Sequence, residues 1–296
     1  MSESSGDSQR YESYNDDVSR NEEKNEIMEM CAKEQEENPI KSFRGYGHTG
    51  YVTSNGDLLV CGKNTNLELG LCSSGGYPYE GVVKKTFVRK PLKVDFGSYQ
   101  MLDKNGFKVK KIAFGEKHSI IMTKSGKIYG VGDNEFYQLG HPYVCGDKDH
   151  PHRWSIYSIA SLYPQRGCIG IPIDIKAGKY HNLVLMSNGV VVSFGKNKFG
   201  QLGSGCKFRG DGMPRSVHIY EQVKEIAAGP ECSFFLTQRG KLYVSGSGFR
   251  LNYLNFGYNN LKEPPDEKDA IWGTKKVTFL PYISHIECHD DILLIQ

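Results

Sequence analysis

Histidines that recur at one spacing are the residues of this sequence best suited to chemistry. His48, His118 and His181 each follow a glycine by three positions, and Cys232 occupies the same place in a fourth segment. Imidazole is a common general base and metal ligand. Residues at one position of separate repeats lie far apart, however, and Cys232 would break a shared ligand set. We therefore predict that these histidines are buried and hydrogen-bond neighbouring strands.

A second set of candidate ligands lies between residues 141 and 172. It combines two cysteines with two histidines, a donor set that binds zinc in many small domains. These residues are Cys145, His150, His152 and Cys168. Their C-x4-H-x-H-x15-C spacing matches no common zinc finger, and the chain has neither a phosphate-binding G-x-x-x-x-G-K-[ST] loop nor a G-x-S-x-G elbow. We expect no metal, no cofactor and no enzymatic activity.

The elements that position the histidines form an internal repeat. Four segments read G-x-x-H or G-x-x-C, then an apolar stretch, a turn glycine, a second apolar stretch and a further glycine, 17 residues after the first. The glycine pairs are Gly45 and Gly62, Gly115 and Gly132, Gly178 and Gly195, and Gly229 and Gly246. Equal spacing in four copies indicates one structural unit used repeatedly.

Each repeat is predicted to form a β-hairpin. Residues 120–122 and 127–131 are short β-prone stretches on either side of Gly126, as in a hairpin turn. A single hairpin is marginally stable, so each unit needs neighbours that cover its apolar face. We therefore predict an all-β fold, a β-propeller of four-stranded antiparallel blades with four clear repeats. A partial fifth copy over residues 283–295 is predicted to supply one strand.

The repeats divide the chain into two regions. Residues 40–296 are predicted to form the propeller, with long inserts over 71–108, 141–172 and 247–282 as loops. Residues 1–39 are predicted to be a disordered acidic arm. Residues 1–40 hold twelve acids and four bases, a net charge of −8, which leaves +11 on the remainder. This asymmetry bears on partners rather than on fold.

The pattern G-x-x-H, strand, G-x-[IVL]-[YVF], then G-x-N-x-x-x-Q-L-G resembles the repeat of the regulator of chromosome condensation family. The resemblance covers residues 45–295 and implies a circular β-propeller of about seven blades. The founding member is an exchange factor for the small GTPase Ran that docks on chromatin, and many relatives are interaction platforms. This chain departs from the pattern in its smaller number of repeats, in Glu68 where Gln is usual, and in the loss of Q-L-G from the fourth repeat. Unless residues 292–295 pair with the strand near residues 50–53, an open ring would leave strand edges exposed.

Basic residues in and after the first insert are the candidate partner-binding residues. They are Lys84, Lys85, Arg89, Lys90, Lys108, Lys110 and Lys111. Such clusters are either a solvated rim or a footprint for an acidic partner. Phe87, Tyr99 and Phe107 lie among them and are candidate anchors.

These features favour a non-catalytic protein-interaction scaffold or regulatory subunit, and we expect a monomer. The first alternative, implied by the resemblance, is a guanine-nucleotide exchange factor for a Ran-like small GTPase. The second is binding of chromatin or another nucleic acid through the basic body. The apolar runs are far shorter than the roughly 20 residues of a membrane-spanning helix. The eight cysteines are scattered singly, which favours reduced thiols and a cytoplasmic or nuclear location.

Overall fold

The structure is a computed structural model that describes most of the chain after residue 40. The described residues are 41–71, 86–96, 107–140, 157–158, 170–205, 213–247, 250–253, 271–277, 280, 282–289 and 292–296. All regular elements among them are β-strands, and they form five sheets. No helix in these ranges has the length and apolar character needed to cross a membrane.

Four sheets are antiparallel and four-stranded, which confirms the predicted all-β propeller architecture. Blade 1 contains β1 Lys41–Gly45, β2 His48–Val52, β3 Leu58–Lys63 and β4 Phe87–Lys93. Blade 2 contains β5 Val109–Phe114, β6 His118–Thr123, β7 Ile128–Gly132 and β8 Tyr157–Ser158. Blade 3 contains β9 Pro172–Ala177, β10 His181–Met186, β11 Val191–Gly195 and β12 Arg215–Ser216. Blade 4 contains β13 Val223–Ala228, β14 Cys232–Thr237, β15 Leu242–Gly246 and β17 Ile271–Lys276.

Blade 5 is built differently from the other four. It contains β16 Arg250–Tyr253, β18 Ile286–His289 and β19 Ile292–Ile295. The prediction of one strand at this end of the chain was wrong, because β18 and β19 form an antiparallel hairpin. β19 pairs on its other edge with β16, in parallel, so it does not pair with the strand near residue 50.

Turn glycines set the hairpin geometry in each repeat. Gly126 has φ of +84°, a conformation that side chains resist, and its amide donates to the Thr123 carbonyl at 3.0 Å. The turn is thereby closed, and β6 and β7 pair directly from Met122 opposite Ile128. The apolar residues of the two strands then cover both faces of the blade.

Each joint between consecutive blades has its own apolar core. The joint of blades 1 and 2 buries Val60 and Ile112, and the next joint buries Ile120 and Phe194. The later joints bury sets that include Leu183 with Phe235, and Phe234 with Leu293. Full burial of each such side chain contributes about 1.5–3 kcal/mol. Packing of blade on blade is therefore what orders the sheets.

The first strands of successive blades lie side by side round a common cavity. β1 lies against β5, β5 against β9, β9 against β13, and β13 against β18. In blades 1 to 4, the first strand runs from the hairpin-turn end of the blade toward the opening glycine, and in blade 1 this glycine lines the cavity. The molecule therefore has two faces: a turn face, which carries the hairpin turns, and a loop face, which carries the G-x-N-x-x-x-Q-L-G loops.

The inserts were predicted as loops, yet they contain strands. β4 lies in the first insert, β8 in the second, and β16 and β17 in the third. These outer strands carry no repeat signature. β4 has the sequence Phe-Val-Arg-Lys-Pro-Leu-Lys, in which charge and a proline replace the alternation of apolar residues. Such residues suit an edge strand, because they discourage pairing with another chain.

Candidate functional site

The opening glycine of a repeat makes room for the histidine ring of the same repeat. A Cβ on Gly115 would lie 2.1 Å from Cε1 of His118, and a Cβ on Gly178 would lie 2.2 Å from Cε1 of His181. Neither distance is possible for real atoms, so both positions require glycine. The G-x-x-H motif is thus explained by the packing of an imidazole over a bare backbone. At Gly45 the close neighbour is different, because a Cβ there would lie 2.8 Å from the carbonyl oxygen of Phe114.

The histidines are buried and bond to the next blade. His118 Nε2 donates to Asn182 Oδ1 at 2.8 Å, and His181 Nε2 lies 2.9 Å from Ser233 Oγ. The Ser233 hydroxyl donates its hydrogen to the Gln201 carbonyl at 2.7 Å, so His181 must be the donor to Ser233. His48 lies within hydrogen-bond distance of two carbonyls, those of Lys63 at 2.8 Å and Glu116 at 3.2 Å.

The residue after the histidine completes this connection between blades. Asn182 Nδ2 donates to the Gln138 carbonyl at 2.7 Å, and Ser119 Oγ donates to the Glu68 carbonyl at 2.5 Å. Each acceptor belongs to the Q-L-G element of the preceding blade, as does the Gln201 carbonyl bound by Ser233. In blades 2 and 3, the histidine and the Q-L-G loop therefore converge on a single polar side chain of the next blade, Asn182 or Ser233. Sequence reasoning missed this position, although its constant spacing from the histidine was a visible signal.

The G-x-N-x-x-x-Q-L-G loops close on themselves. Asn134 Oδ1 accepts from the Leu139 amide at 2.8 Å, and Gln138 Oε1 accepts from the Phe136 amide at 2.7 Å. The third repeat has the same bonds through Asn197 and Gln201. In the first repeat, Glu68 takes the glutamine's place and its Oε2 accepts from the Asn66 amide at 2.6 Å. A carboxylate can replace the amide here because only its acceptor oxygen is used.

Burial keeps two of the histidines neutral. Loss of solvation lowers the pKa of His118 to about 4 and that of His181 to about 3, from an ordinary value of 6.5. A neutral imidazole held by a hydrogen bond in a sealed joint has no access to a substrate. These contacts favour the structural role that the sequence suggests.

The remaining repeat positions lie beside these joints. Gly62, Gly132, Gly195 and Gly246 all have positive φ, and a Cβ on any of them would clash with the main chain near the histidine or cysteine of the same repeat. Gly229 precedes Cys232, which is fully buried in the apolar joint of blades 4 and 5. The two cysteines and two histidines of the zinc hypothesis lie outside the described residues. In the part of the chain that is described, no three potential metal ligands cluster.

A cavity of about 590 Å³ lies where the first strands meet. Each of blades 1 to 4 contributes to its wall the residue that precedes the opening glycine. In blade 5, which has no such glycine, the corresponding residue of β18 takes this place. These residues are Arg44, Phe114, Ala177, Ala228 and Cys288. It extends along a face of blade 1 through Thr49, Cys61 and Phe87. That face is incompletely covered, because Thr49 and Tyr51 of β2 are half-buried while all six residues of β6, β10 and β14 are buried.

The described candidate partner-binding residues are divided between the outer and the innermost strands. Arg89 and Lys90 are exposed on the outer strand β4, whereas Lys108, Lys110 and Lys111 lie at the innermost strand β5. Lys84 and Lys85 lie outside the described residues. Of the candidate anchors, Phe87 is 58% exposed, and Tyr99 is not among the described residues. The expectation for Phe107 was wrong, because it is 5% exposed and stacks on Phe96 at 4.1 Å in the core.

Lys111 is a structural residue rather than a free cation. It forms an ion pair with Asp174 of blade 3, and its side chain is only 21% exposed. Burial lowers the pKa of Lys111, although Asp174 opposes the change. This pair joins the first strands of blades 2 and 3. A similar contact joins blades 4 and 5, where His285 Nδ1 lies 2.9 Å from Glu225 Oε2.

A cluster of lysines lies on the turn face of blades 1 and 2. We call it the basic turn face, and it comprises Lys41, Lys93, Lys108, Lys110, Lys124 and Lys127. Lys93 and Lys108 contact the two carboxylate oxygens of Asp57 at 3.1 and 3.5 Å. Partial burial of Asp57 opposes its ionisation, but the hydrogen bond from Lys93 and the charge of Lys108 hold its pKa below 3.8.

Local structure presents these lysines together. The Val109 amide donates to the Gly56 carbonyl at 2.8 Å, which places the start of β5 against the hairpin turn of blade 1. The Lys124 side chain reaches the Ser54 carbonyl in that turn. Lys110 lies in a β-bulge between Val109 and Lys111 and is exposed. Bulges re-aim side chains, and here the bulge leaves a lysine at the surface.

A second feature that sequence reasoning missed lies on the loop face. Nζ of Lys196 lies 5.1 to 5.8 Å from the ring centres of Phe136, Tyr180 and Phe199, and 3.1 Å from Glu231 Oε1. Phe136 and Phe199 occupy the same position of their repeats, and this shared spacing was the available signal. Burial, with a hydrogen bond to Glu116, raises the pKa of Tyr180. The cluster bridges blades 2, 3 and 4.

The fold and these joints define a repeat β-propeller whose repeat-specific side chains connect consecutive blades. A family model described as "Regulator of chromosome condensation (RCC1) repeat" matches residues 109–138 and 173–201, the hairpins and loops of blades 2 and 3. Blades 2 and 3 therefore carry the repeat of the regulator of chromosome condensation family.

Relatives at moderate identity support this assignment. The chain is 26% identical over 271 residues to Protein RCC2 of Homo sapiens, which covers 79% of this chain and 48% of the relative. It is 28% identical over 214 residues to the Secretion-regulating guanine nucleotide exchange factor of Bos taurus, which covers 69% of this chain and 39% of the relative. The chain thus spans about half or less of the length of these curated relatives.

Solved structures show the same fold. Human WBSCR16 superposes with a TM-score of 0.64 at 20% identity, covering 85% of this chain and 58% of that one. Yeast RCC1 (Prp20), solved bound to Kap60, superposes with a TM-score of 0.60 at 20% identity, covering 86% and 53%.

Proposed function

We propose that this protein is a non-catalytic interaction module or regulatory subunit that binds an acidic protein partner through the basic turn face. The observation that carries the proposal is the charge of this surface. Six lysines among the described residues converge there, and Asp57 is the carboxylate that two of them, Lys93 and Lys108, contact. Side-chain exposures of 64% for Lys93 and 46% for Lys108 leave the cations available to a partner.

The chemistry of the repeats supports binding rather than catalysis. His118 and His181 are sealed in blade joints and held neutral, so they cannot act as surface bases. Clustered cations attract an acidic partner over about one Debye length, roughly 8 Å at physiological salt, and they speed its association. The basic turn face therefore orients the partner and raises its association rate. Contacts with the neighbouring loops would add to the affinity.

A charge-reversal experiment tests this surface. Lys110→Glu combined with Lys124→Glu is compared with Lys117→Glu combined with Lys198→Glu on the loop face. The probe is a fluorescent polyglutamate peptide, a stand-in for an acidic protein segment. We expect the turn-face pair to weaken binding by about tenfold at low salt and the loop-face pair to change it by less than about twofold. Equal effects of the two pairs would contradict the assignment of the surface.

A second candidate function is guanine-nucleotide exchange on a Ran-like small GTPase. It is favoured by the likeness to the Secretion-regulating guanine nucleotide exchange factor. Exchange requires no reactive side chain, because it rests on preferential binding of the nucleotide-free GTPase. Release of labelled GDP from Ran in the presence of the full chain tests it, and an unchanged release rate rejects it.

Binding of chromatin or nucleic acid is the third candidate, and the +11 charge of residues 41–296 favours it. Contacts with phosphates release counterions, so DNA affinity should fall steeply with salt. Duplex DNA is titrated at several salt concentrations. Affinity that does not respond to salt would reject this candidate.

A further inference from the structure

The acidic N-terminal region joins the propeller at the basic turn face. β1 begins at Lys41, which pairs with Val52, the last residue of β2 before the hairpin turn of blade 1. That turn contains Ser54, which Lys124 contacts, and is followed by Asp57, which Lys93 and Lys108 contact. Lys41, to which residues 1–40 are joined in sequence, therefore lies beside the hairpin turn that Lys124 contacts.

The charges of the two regions are complementary. Residues 1–40 carry a net charge of −8, with twelve carboxylates. The basic turn face carries six lysines, two of which share Asp57. Tethering raises the local concentration of the acidic region at this surface to the order of 1 mM. A weak attraction between separate molecules thereby becomes substantial occupancy within one chain.

We propose that residues 1–40 bind the basic turn face of the same chain and compete there with an acidic partner. This inference rests on the proposed function in one respect, namely that the surface it covers is the partner-binding surface. The binding itself follows from the charge and the attachment point alone. The region acts as a built-in acidic ligand, and the body has its highest affinity for a partner when the region is displaced or neutralised.

Geometry alone does not confine residues 1–40 to this face. Forty residues span up to roughly 130 Å when extended, at about 3.3 Å per residue, which is enough to reach the loop face. Lysines of the loop face are therefore a matched control. Lys117 and Lys198 lie there beside Asp133 and Phe199. A preference for the turn-face lysines must come from attraction rather than from reach.

Zero-length carbodiimide cross-linking of the full chain tests the contact. The reagent joins a carboxylate to an amine, and peptide mass spectrometry identifies which lysines the carboxylates of residues 1–40 reach. We expect cross-links to Lys93, Lys110 and Lys124 to exceed those to Lys117 and Lys198 at least about fivefold at low salt. At 0.5 M salt, where the Debye length is about 4 Å, the preference should disappear. Equal yields on the two faces, or a preference insensitive to salt, would overturn the proposal.

A binding measurement separates this inference from the proposed function. The twelve acidic residues of the region are changed to Asn and Gln in the full chain, and the polyglutamate peptide is titrated into both forms. We expect about tenfold tighter binding by the neutralised chain, as for an internal competitor with a Kd of ~0.1 mM at ~1 mM local concentration. Equal binding by both forms overturns the competition alone. Binding by neither form overturns the proposed function of the surface, whatever the cross-links show.

Discussion

At the scale of single residues, the recurring histidine acts together with a polar side chain of the next blade. That side chain comes directly after the histidine position of its own repeat. His118 bonds to Asn182, and Asn182 bonds back to the Gln138 carbonyl in the blade of His118. Neither residue of this pair can be replaced without leaving a buried polar group unsatisfied, at about 1–3 kcal/mol. The imidazole thus forms a hydrogen bond that joins its blade to the neighbouring sheet.

The lowered histidine pKa values predict a pH dependence of stability. Above pH 6.5, His118 and His181 are neutral in both the folded and unfolded chains and contribute no slope. Between pH 6.5 and about 4 the unfolded chain binds protons at these residues and the folded chain does not. The free energy of unfolding should therefore fall on acidification, by up to about 1.4 kcal/mol per pH unit for each histidine.

Urea unfolding at pH 7.5, 6.5, 5.5 and 4.5 measures this slope. The variant His118→Gln with His181→Gln is the control, because its slope between pH 6.5 and 4.5 should be shallower than that of the natural chain. A natural chain with constant stability from pH 7.5 to 4.5 would show that the two imidazoles titrate normally and are not sealed in the joints.

Sequence was informative about single residues only where the repeat marked them. The spacing from glycine to histidine identified His118 and His181 as equivalent, and their burial follows from it. Phe107 was misjudged because a phenylalanine among lysines in a one-dimensional sequence gives no sign that it stacks on Phe96. The ion pair of Lys111 with Asp174 could not be predicted for the same reason, since Asp174 lies in the next blade.

At the scale of elements, the space over the opening glycine decides whether a hairpin can carry its histidine. Gly115→Ala would place a Cβ 2.1 Å from Cε1 of His118 and 3.0 Å from the Gly178 carbonyl. The imidazole must then move away from Asn182. We predict a loss of about 1–3 kcal/mol in the free energy of unfolding, measured by urea denaturation.

Gly273→Ala is the matched control for that substitution. Gly273 lies in β17, has no positive φ, and its nearest neighbour would be Gly205 Cα at 3.8 Å. The free energy of unfolding of the Gly273→Ala chain should stay within about 0.5 kcal/mol of that of the natural chain. A Gly115→Ala chain as stable as the Gly273→Ala chain would refute the packing role assigned to the opening glycine.

Strands that carry the repeat were predictable, and the outer strands were not. Residues 120–122 and 127–131 fall within or overlap β6 and β7, because burial of both faces selects apolar residues there. β8 and β12 have two residues each, and β4 is polar and proline-containing. Edge strands gain little from burial, so their composition is not constrained enough to be recognised.

At the scale of the whole molecule, the five blades are not joined equally. In the joint of blades 4 and 5, Cys232 stands at the histidine position, and Leu293 occupies the place of the polar partner. Both are buried and apolar, so packing holds this joint without the imidazole bond. Blade 5 also lacks a fourth strand among the described residues.

We therefore predict that blade 5 opens before blades 2 and 3. Hydrogen exchange of the native protein measures the free energy of local opening at each amide. Amides of β18 and β19 should exchange at least about tenfold faster than those of β10 and β11. Uniform protection across the five blades would show that the molecule opens only as one unit and that the missing polar bond is of no consequence.

The central claim is that the repeat's histidines bind consecutive blades together, which leaves function to the surface. A double-mutant cycle of His118→Ala, Asn182→Ala and the double variant, followed by urea unfolding, tests it most directly. The imidazole–amide bond across the joint predicts a coupling free energy of about 1 kcal/mol or more. A coupling free energy indistinguishable from zero would mean that the two side chains act independently and that the blades are not joined in this way.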